Sequence, residues 1–133
     1  MAFEAVLLAL HLLAAVAWVG GIFFAYTALR PASMQLDAPL RLALWAAAFG
    51  RFFPWVWGFI VVLVASGHVL MGPLEAVSGV RVMAVIGWTM GLLFAYLYFV
   101  PFALLKRAVA ASDIPAAAQA MERIRPVMAT NLV

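Results

Sequence analysis

The sequence predicts an all-α integral membrane protein: a helical bundle with three clear transmembrane helices and the start of a fourth. Three observations carry this. Of 133 residues, 69% are hydrophobic and 10% charged, with a mean hydropathy of +1.15, whereas soluble domains run nearer half apolar. The apolar residues come in long unbroken blocks rather than at periodic positions, as membrane spans do. The blocks are also bounded by Arg, Lys, Gly and Pro, residues suited to the interface and to helix ends.

The chain reads as a single transmembrane helical-bundle domain over 1–133. The first span covers about 5–29 and closes at Arg30-Pro31. Some 25 residues at 1.5 Å each give roughly 37 Å, enough to cross a ~30 Å hydrocarbon layer with tilt. This block lacks a basic n-region and is too long for a signal peptide, so it is expected to be retained. The second span covers about 52–71, entered by Arg51 and left at Gly72-Pro73. The third covers about 82–105, entered by Arg81 and stopped by Lys106-Arg107, with Pro101 expected to kink its last turn. Between the first two spans, residues 39–49 suggest a short interfacial helix. After the third, an amphipathic, cytoplasmic helix is expected over about 113–125, capped by Ser112 or Asp113 with Pro115 in its first turn. From about 126 the chain turns apolar again, as the opening of a fourth span or as a short interfacial tail.

Basic residues sort the two sides. The first connection holds Arg30, Arg41 and Arg51, and the segment after the third span holds Lys106, Arg107, Arg123 and Arg125. The second connection has only Arg81, offset by Glu75. The positive-inside rule then places the first and third connections in the cytoplasm and the N-terminus outside. The formal charge of +3 is a topology signal first. No nucleic-acid module is visible. The absence of cysteine excludes disulfides, thiolate metal sites and iron–sulfur clusters.

The chain has two histidines, His11 and His68, both inside spans. His11 lies about six residues, roughly 9 Å, from the outer start of its span. His68 lies about three residues, roughly 4–5 Å, from the outer end of its own. Antiparallel neighbours would bring the imidazoles to one depth in the outer leaflet, facing each other. Helical steps from His11 give Leu7, Ala14, Trp18 and Gly21, and those from His68 give Gly72, Ala65 and Gly58. Small residues permit close approach of a helix or a flat ligand. In the third span Gly87 and Gly91, extended by Ala84 and Ala95, form a G-x-x-x-G packing face.

Ionisable groups inside a membrane are costly and by default functional. Haem b is one reading, with His11 and His68 as axial ligands, Trp18 near the porphyrin edge and Arg81 available to the propionates. Copper is another, held by His11, His68 and Met71, with Met83 and Met1 as further candidate ligands, because thioether with imidazole selects Cu(I). In the third reading each histidine merely hydrogen-bonds a backbone carbonyl or a partner helix. Trp45, Trp55 and Trp57 fit an aromatic belt. Glu4, at the outer rim, is solvated or handles protons. The remaining acids, Asp37, Glu75, Asp113 and Glu122, fall in connections. No catalytic residues stand out, so any enzyme activity would reside on a cofactor.

The run His11-x6-Trp18-Val-Gly-Gly21, with Phe23-Phe24, Leu29-Arg30-Pro31, Arg51-Phe52-Phe53, Ala65-Ser66-Gly67 and Arg123-Ile-Arg125, resembles the small CopD-like (copper resistance D) membrane proteins. The His-x6-Trp-x-x-Gly spacing is also similar to the HemJ-type four-span haem proteins. The first resemblance implies copper transport, and the second implies a four-helix bundle holding haem b. The sequence departs from the HemJ pattern at Arg81, where a lysine is expected, and in having no histidine in the third span. Those departures weigh against the oxidase activity itself. Three functions are therefore expected to compete. One is electron transfer by a b-type haem protein, with a quinone or a partner membrane redox subunit. The others are copper transport or delivery, and a non-catalytic accessory subunit of a larger membrane complex. The expected setting is the bilayer of a bacterial inner membrane, with homo-oligomers possible.

Overall fold

The computed structural model describes residues 2–72 and 77–132, and nearly all of them are helical. Three stretches are long and apolar enough to cross a membrane: Ala2–Ser33, Ala38–Met71 and Ser78–Ala110. The expected exit at Pro73, the Glu75 counter-charge and the Met1 thioether lie outside the described residues.

The first stretch opens as α1, Ala2–Phe24, widens to a π-helical turn over Ala25–Leu29, and ends as α2, Arg30–Ser33. The cause sits in Pro31, which has no N–H for an i−4 bond and whose ring would clash with the carbonyl of residue 27. The wider turn lets the Arg30 N–H reach back to Ala25 O. Successive i+3 bonds, such as Leu36 N–H to Ser33 O at 3.0 Å, then turn the chain. Asp37, in extended conformation, begins the next helix with Pro39 in its first turn.

That helix, α3, is a single rod over Ala38–Met71. The interfacial helix expected over 39–49 is therefore its first third and not a separate element. The buried residues Leu42, Trp45, Phe49, Phe53 and Val56 recur every three or four positions, so one stripe runs unbroken through Arg51 and Pro54. The belt expectation also changes: Trp45 is buried and donates from Nε1 to Ser33 Oγ at 3.2 Å, and Trp57 packs on Phe94 at 5.1 Å. Only Trp55 of the three is exposed.

α4, Ser78–Phe99, stops at Val100, and α5, Pro101–Ala110, restarts at the proline, because a residue before proline is pushed out of helical conformation. Ser112 then takes a left-handed φ of 55°. Asp113 Oδ1 accepts the Ala116 N–H at 3.2 Å and caps α6, Ile114–Leu132. The polar helix expected to end near 125 and the apolar segment from 126 are one continuous element. Pro126 is tolerated because it and Glu122, whose carbonyl loses its bond, are both on the exposed face. The opposite face, Ala117, Ala120, Met121, Ile124, Met128 and Asn131, is buried.

The position of α6 decides where the molecule is packed. Its apolar face fills the space among the others over the half of the bundle that carries the Met34–Asp37 and Ala111–Asp113 turns. The core lies there, from Trp18 onward in α1, over residues 42–56 in α3 and from Phe94 onward in α4 and α5. Its centre is aromatic: Phe53 stacks on Phe49 at 4.8 Å and stands edge-on to Phe102 at 4.8 Å and Phe94 at 5.1 Å. In the other half, among the described residues, only Ala14 and Ser66 are buried. There α1 and α3 stay close: a Cβ on Gly67 would sit 3.3 Å from the His11 ring. With no α6 between them, the three long helices open around a cleft.

Candidate functional site

The cleft, about 470 Å³, is walled by α1, α3 and α4 and is overwhelmingly apolar. That volume falls within the range of small-ligand pockets, roughly 300–1,000 Å³. Both histidines line it, from α1 and α3 respectively.

Their hydrogen bonds assign their tautomers. A backbone carbonyl only accepts, so His68 Nδ1 carries the proton and donates to Val64 O at 2.8 Å. Ser66 Oγ donates to Val62 O at 2.5 Å, which leaves its lone pair for the His11 Nδ1–H at 2.9 Å. In its neutral form each ring then keeps an Nε2 lone pair with no partner among the described residues. An imidazole whose N–H is tied to a hydroxyl or carbonyl is the form that ligates metals. His11 also rests on the α3 backbone, since a Cβ on Gly67 would sit 3.3 Å from its Cε1. His68 turns toward α4, where Trp88 meets it edge-on at 5.9 Å.

Ser66 was not singled out as a site residue in the sequence. The available signal was one hydroxyl in an apolar span two residues before His68. Replacing Ser66 with Ala is expected to orphan the His11 N–H and to cost about 1–3 kcal/mol, read as a lower melting temperature of the detergent-purified protein. Asn131 was missed as well. It is buried, its Nδ2 donates to Met90 O at 3.4 Å, and its Oδ1 has no partner among the described residues. Met90 itself lines the cleft.

Among the other expected site residues, Met71 and Met83 line the cleft, and so does Trp18, buried and edge-on to Phe94 at 6.2 Å where cleft meets core. Arg81 is exposed on the first turn of α4 and does not line it, although its neighbours Val80 and Met83 do. Glu4 is exposed on the first turn of α1 and stands apart from it. The G-x-x-x-G face is also a cleft wall. Ala84, Gly87, Gly91 and Ala95 line it, and a Cβ on either glycine would meet nothing within 4 Å. Among the described residues no cluster of three or more His, Cys, Asp or Glu could hold a metal ion by itself. Any bound metal would therefore need thioethers or a macrocycle to complete its shell. No family model, curated protein or solved structure matches the chain.

Proposed function

We propose that this is an integral membrane haem protein, in which His11 and His68 would hold a haem b in the cleft and electron transfer would be its role. The observation that carries the reading is the pair of Nε2 lone pairs left free by the Nδ1 bonds of two histidines on one cleft. The glycine wall of α4 adds to it, because the absent Cβ atoms leave a flat surface where a planar ligand could lie. When bound, haem supplies one-electron redox chemistry. The chain's part is to hold the rings. Ser66 and the Val64 carbonyl orient the imidazoles, and Trp88 braces His68. Trp18 closes the cleft toward the core, and the apolar lining keeps water out. Arg81, next to two lining residues, is the cation available to the propionates. The basic connections favour the orientation with this cleft toward the outer face of a bacterial inner membrane, where a quinone or a partner redox subunit would exchange the electron. Of the two resemblances in the sequence, the HemJ-type spacing accords with haem and the CopD-like one with copper.

Titration of the purified chain with haem, followed by oxidised and reduced absorption spectra, tests this. Sharp, split reduced bands are expected, with loss of the low-spin spectrum in both His11→Ala and His68→Ala. A featureless spectrum, or haem held equally well by both variants, overturns it. One observation favours a second reading. Met71 and Met83 share the cleft with both histidines, a donor set for Cu(I). Copper predicts Cu(I) binding that falls with Met71→Ala as well as His68→Ala, in protein that shows no haem spectrum.

A further inference from the structure

A second cavity, about 180 Å³, lies at the opposite end of the bundle, among the π turn, α2, α3 and α6. Arg30, Arg41 and Arg125 all line it, against a single carboxylate, Glu122. Helix geometry brings them there from three distant parts of the sequence. Arg30 follows the π turn, Arg41 begins α3 just after the connection, and Arg125 comes up on α6. Little of their hydrogen-bonding capacity is used. Arg41 Nη1 donates to Leu36 O at 3.3 Å, and the guanidinium of Arg30 lies over the Tyr26 ring at 5.5 Å. The Arg30 and Arg125 guanidinium groups have no hydrogen-bond partner among the described residues. The Tyr26 hydroxyl donates to the Arg125 carbonyl at 3.4 Å, and this ties α6 to the rim. Below the guanidinium groups the lining is apolar, with Leu42, Phe49 and Met128.

We infer that this cavity binds a phosphate group, carried by an anionic phospholipid. Arginine is the side chain suited to bidentate phosphate recognition, and three with spare donors make a strongly anion-selective site. Basic pockets between transmembrane helices are a known form of anionic-lipid recognition. The apolar floor matches the glycerol and acyl portion of a lipid and offers nothing to a hydrated free ion. Depth agrees. Counting from residue 5 at 1.5 Å per residue, a ~30 Å hydrocarbon layer ends near residue 25, and Arg30 falls roughly 7 Å beyond, at headgroup level. This inference does not depend on the haem reading, since the two sites lie at opposite ends.

The test uses the full chain in non-ionic detergent, with native mass spectrometry against dioleoyl-phosphatidylglycerol, dioleoyl-phosphatidylcholine and inorganic phosphate. One saturable phosphatidylglycerol is expected, bound at least tenfold more tightly than phosphatidylcholine. Arg41→Gln with Arg125→Gln should weaken it at least tenfold. Arg107→Gln with Arg123→Gln, exposed and outside the cavity lining, should not. Equal weakening by both pairs would mean diffuse surface attraction and overturn the site, as would absence of a saturable lipid. Binding of inorganic phosphate with the same arginine dependence would support the phosphate chemistry and assign it to a soluble ligand. A photoactivatable phosphatidylglycerol analogue on the unaltered protein needs no variant to fold. Labelling within 25–49 and 118–128 supports the site, and labelling spread over the other helices overturns it.

Discussion

Phe53→Ala is expected to destabilise the protein by about 3 kcal/mol, at the lower end of the ~3–5 kcal/mol typical of buried Phe→Ala in soluble cores. Phe53 is 3% exposed, and its ring touches those of Phe49, Phe94, Phe102 and Tyr98, drawn from α3, α4 and α5. In water such a truncation loses both the transfer free energy of the ring and the packing around it. Inside a membrane the transfer part shrinks, because lipid tails are as apolar as the core. What remains is lost dispersion and ring-edge contact around a cavity that three helices cannot all collapse into. Trp55→Ala serves as the control: Trp55 is 68% exposed, and truncating it should stay within about 0.5 kcal/mol. Titration of both purified variants with denaturing detergent gives the comparison. Equal effects would mean that the aromatic cluster is not the centre of the fold.

The existence of three long apolar helices was legible in the sequence because continuous apolarity leaves few alternatives in a bilayer. What was not legible is how far each rod runs past the apolar block. Arg51 and Pro54 look like a boundary in one dimension. In three, Leu42, Trp45, Phe49, Phe53 and Val56 form one buried stripe across them, and an arginine on the outward face does not interrupt a helix. The same holds at Pro126. Its missing hydrogen bond lies on the exposed side of α6, so a residue that reads as a breaker leaves the helix intact.

For the site, the spacing of His11 and His68 along their spans was enough to put them on one cleft. It was not enough to make them face one another: His11 lies on Gly67 and Ser66, while His68 turns to Trp88 on the next helix. The reason is angular. Residues 66, 67 and 68 point about 100° apart around α3, so a histidine resting on Ser66 and Gly67 does not meet the ring of His68. Depth can be counted from a sequence, but the azimuth of a neighbouring helix cannot. Arg81 shows the same limit. It sits on the first turn of α4, yet it is exposed and does not join the lining that Val80 and Met83 provide.

The G-x-x-x-G of α4 gives the sharpest test of what the cleft is for. If Gly87 and Gly91 form a helix-packing face, leucine at both positions should force helices apart and destabilise the protein by several kcal/mol. The structure predicts the opposite sign. A Cβ at either position meets nothing within 4 Å, and leucine in place of glycine favours a helix interior by up to about 0.8 kcal/mol per site. Gly87→Leu with Gly91→Leu is therefore expected to leave stability unchanged or raised by about 1–2 kcal/mol. The two isobutyl groups would project into the cleft and fill the space beside His11 and His68. Uptake of the proposed haem, or of Cu(I) on the second reading, should then fall by more than tenfold while the fold melts no earlier. Melting curves and cofactor titration on the same preparation separate the cases. A large loss of stability would place a helix, from this chain or a second copy, against that wall, and the cleft would then be an assembly interface rather than a ligand site. Stability retained with binding lost would leave the cleft as the place where the cofactor sits.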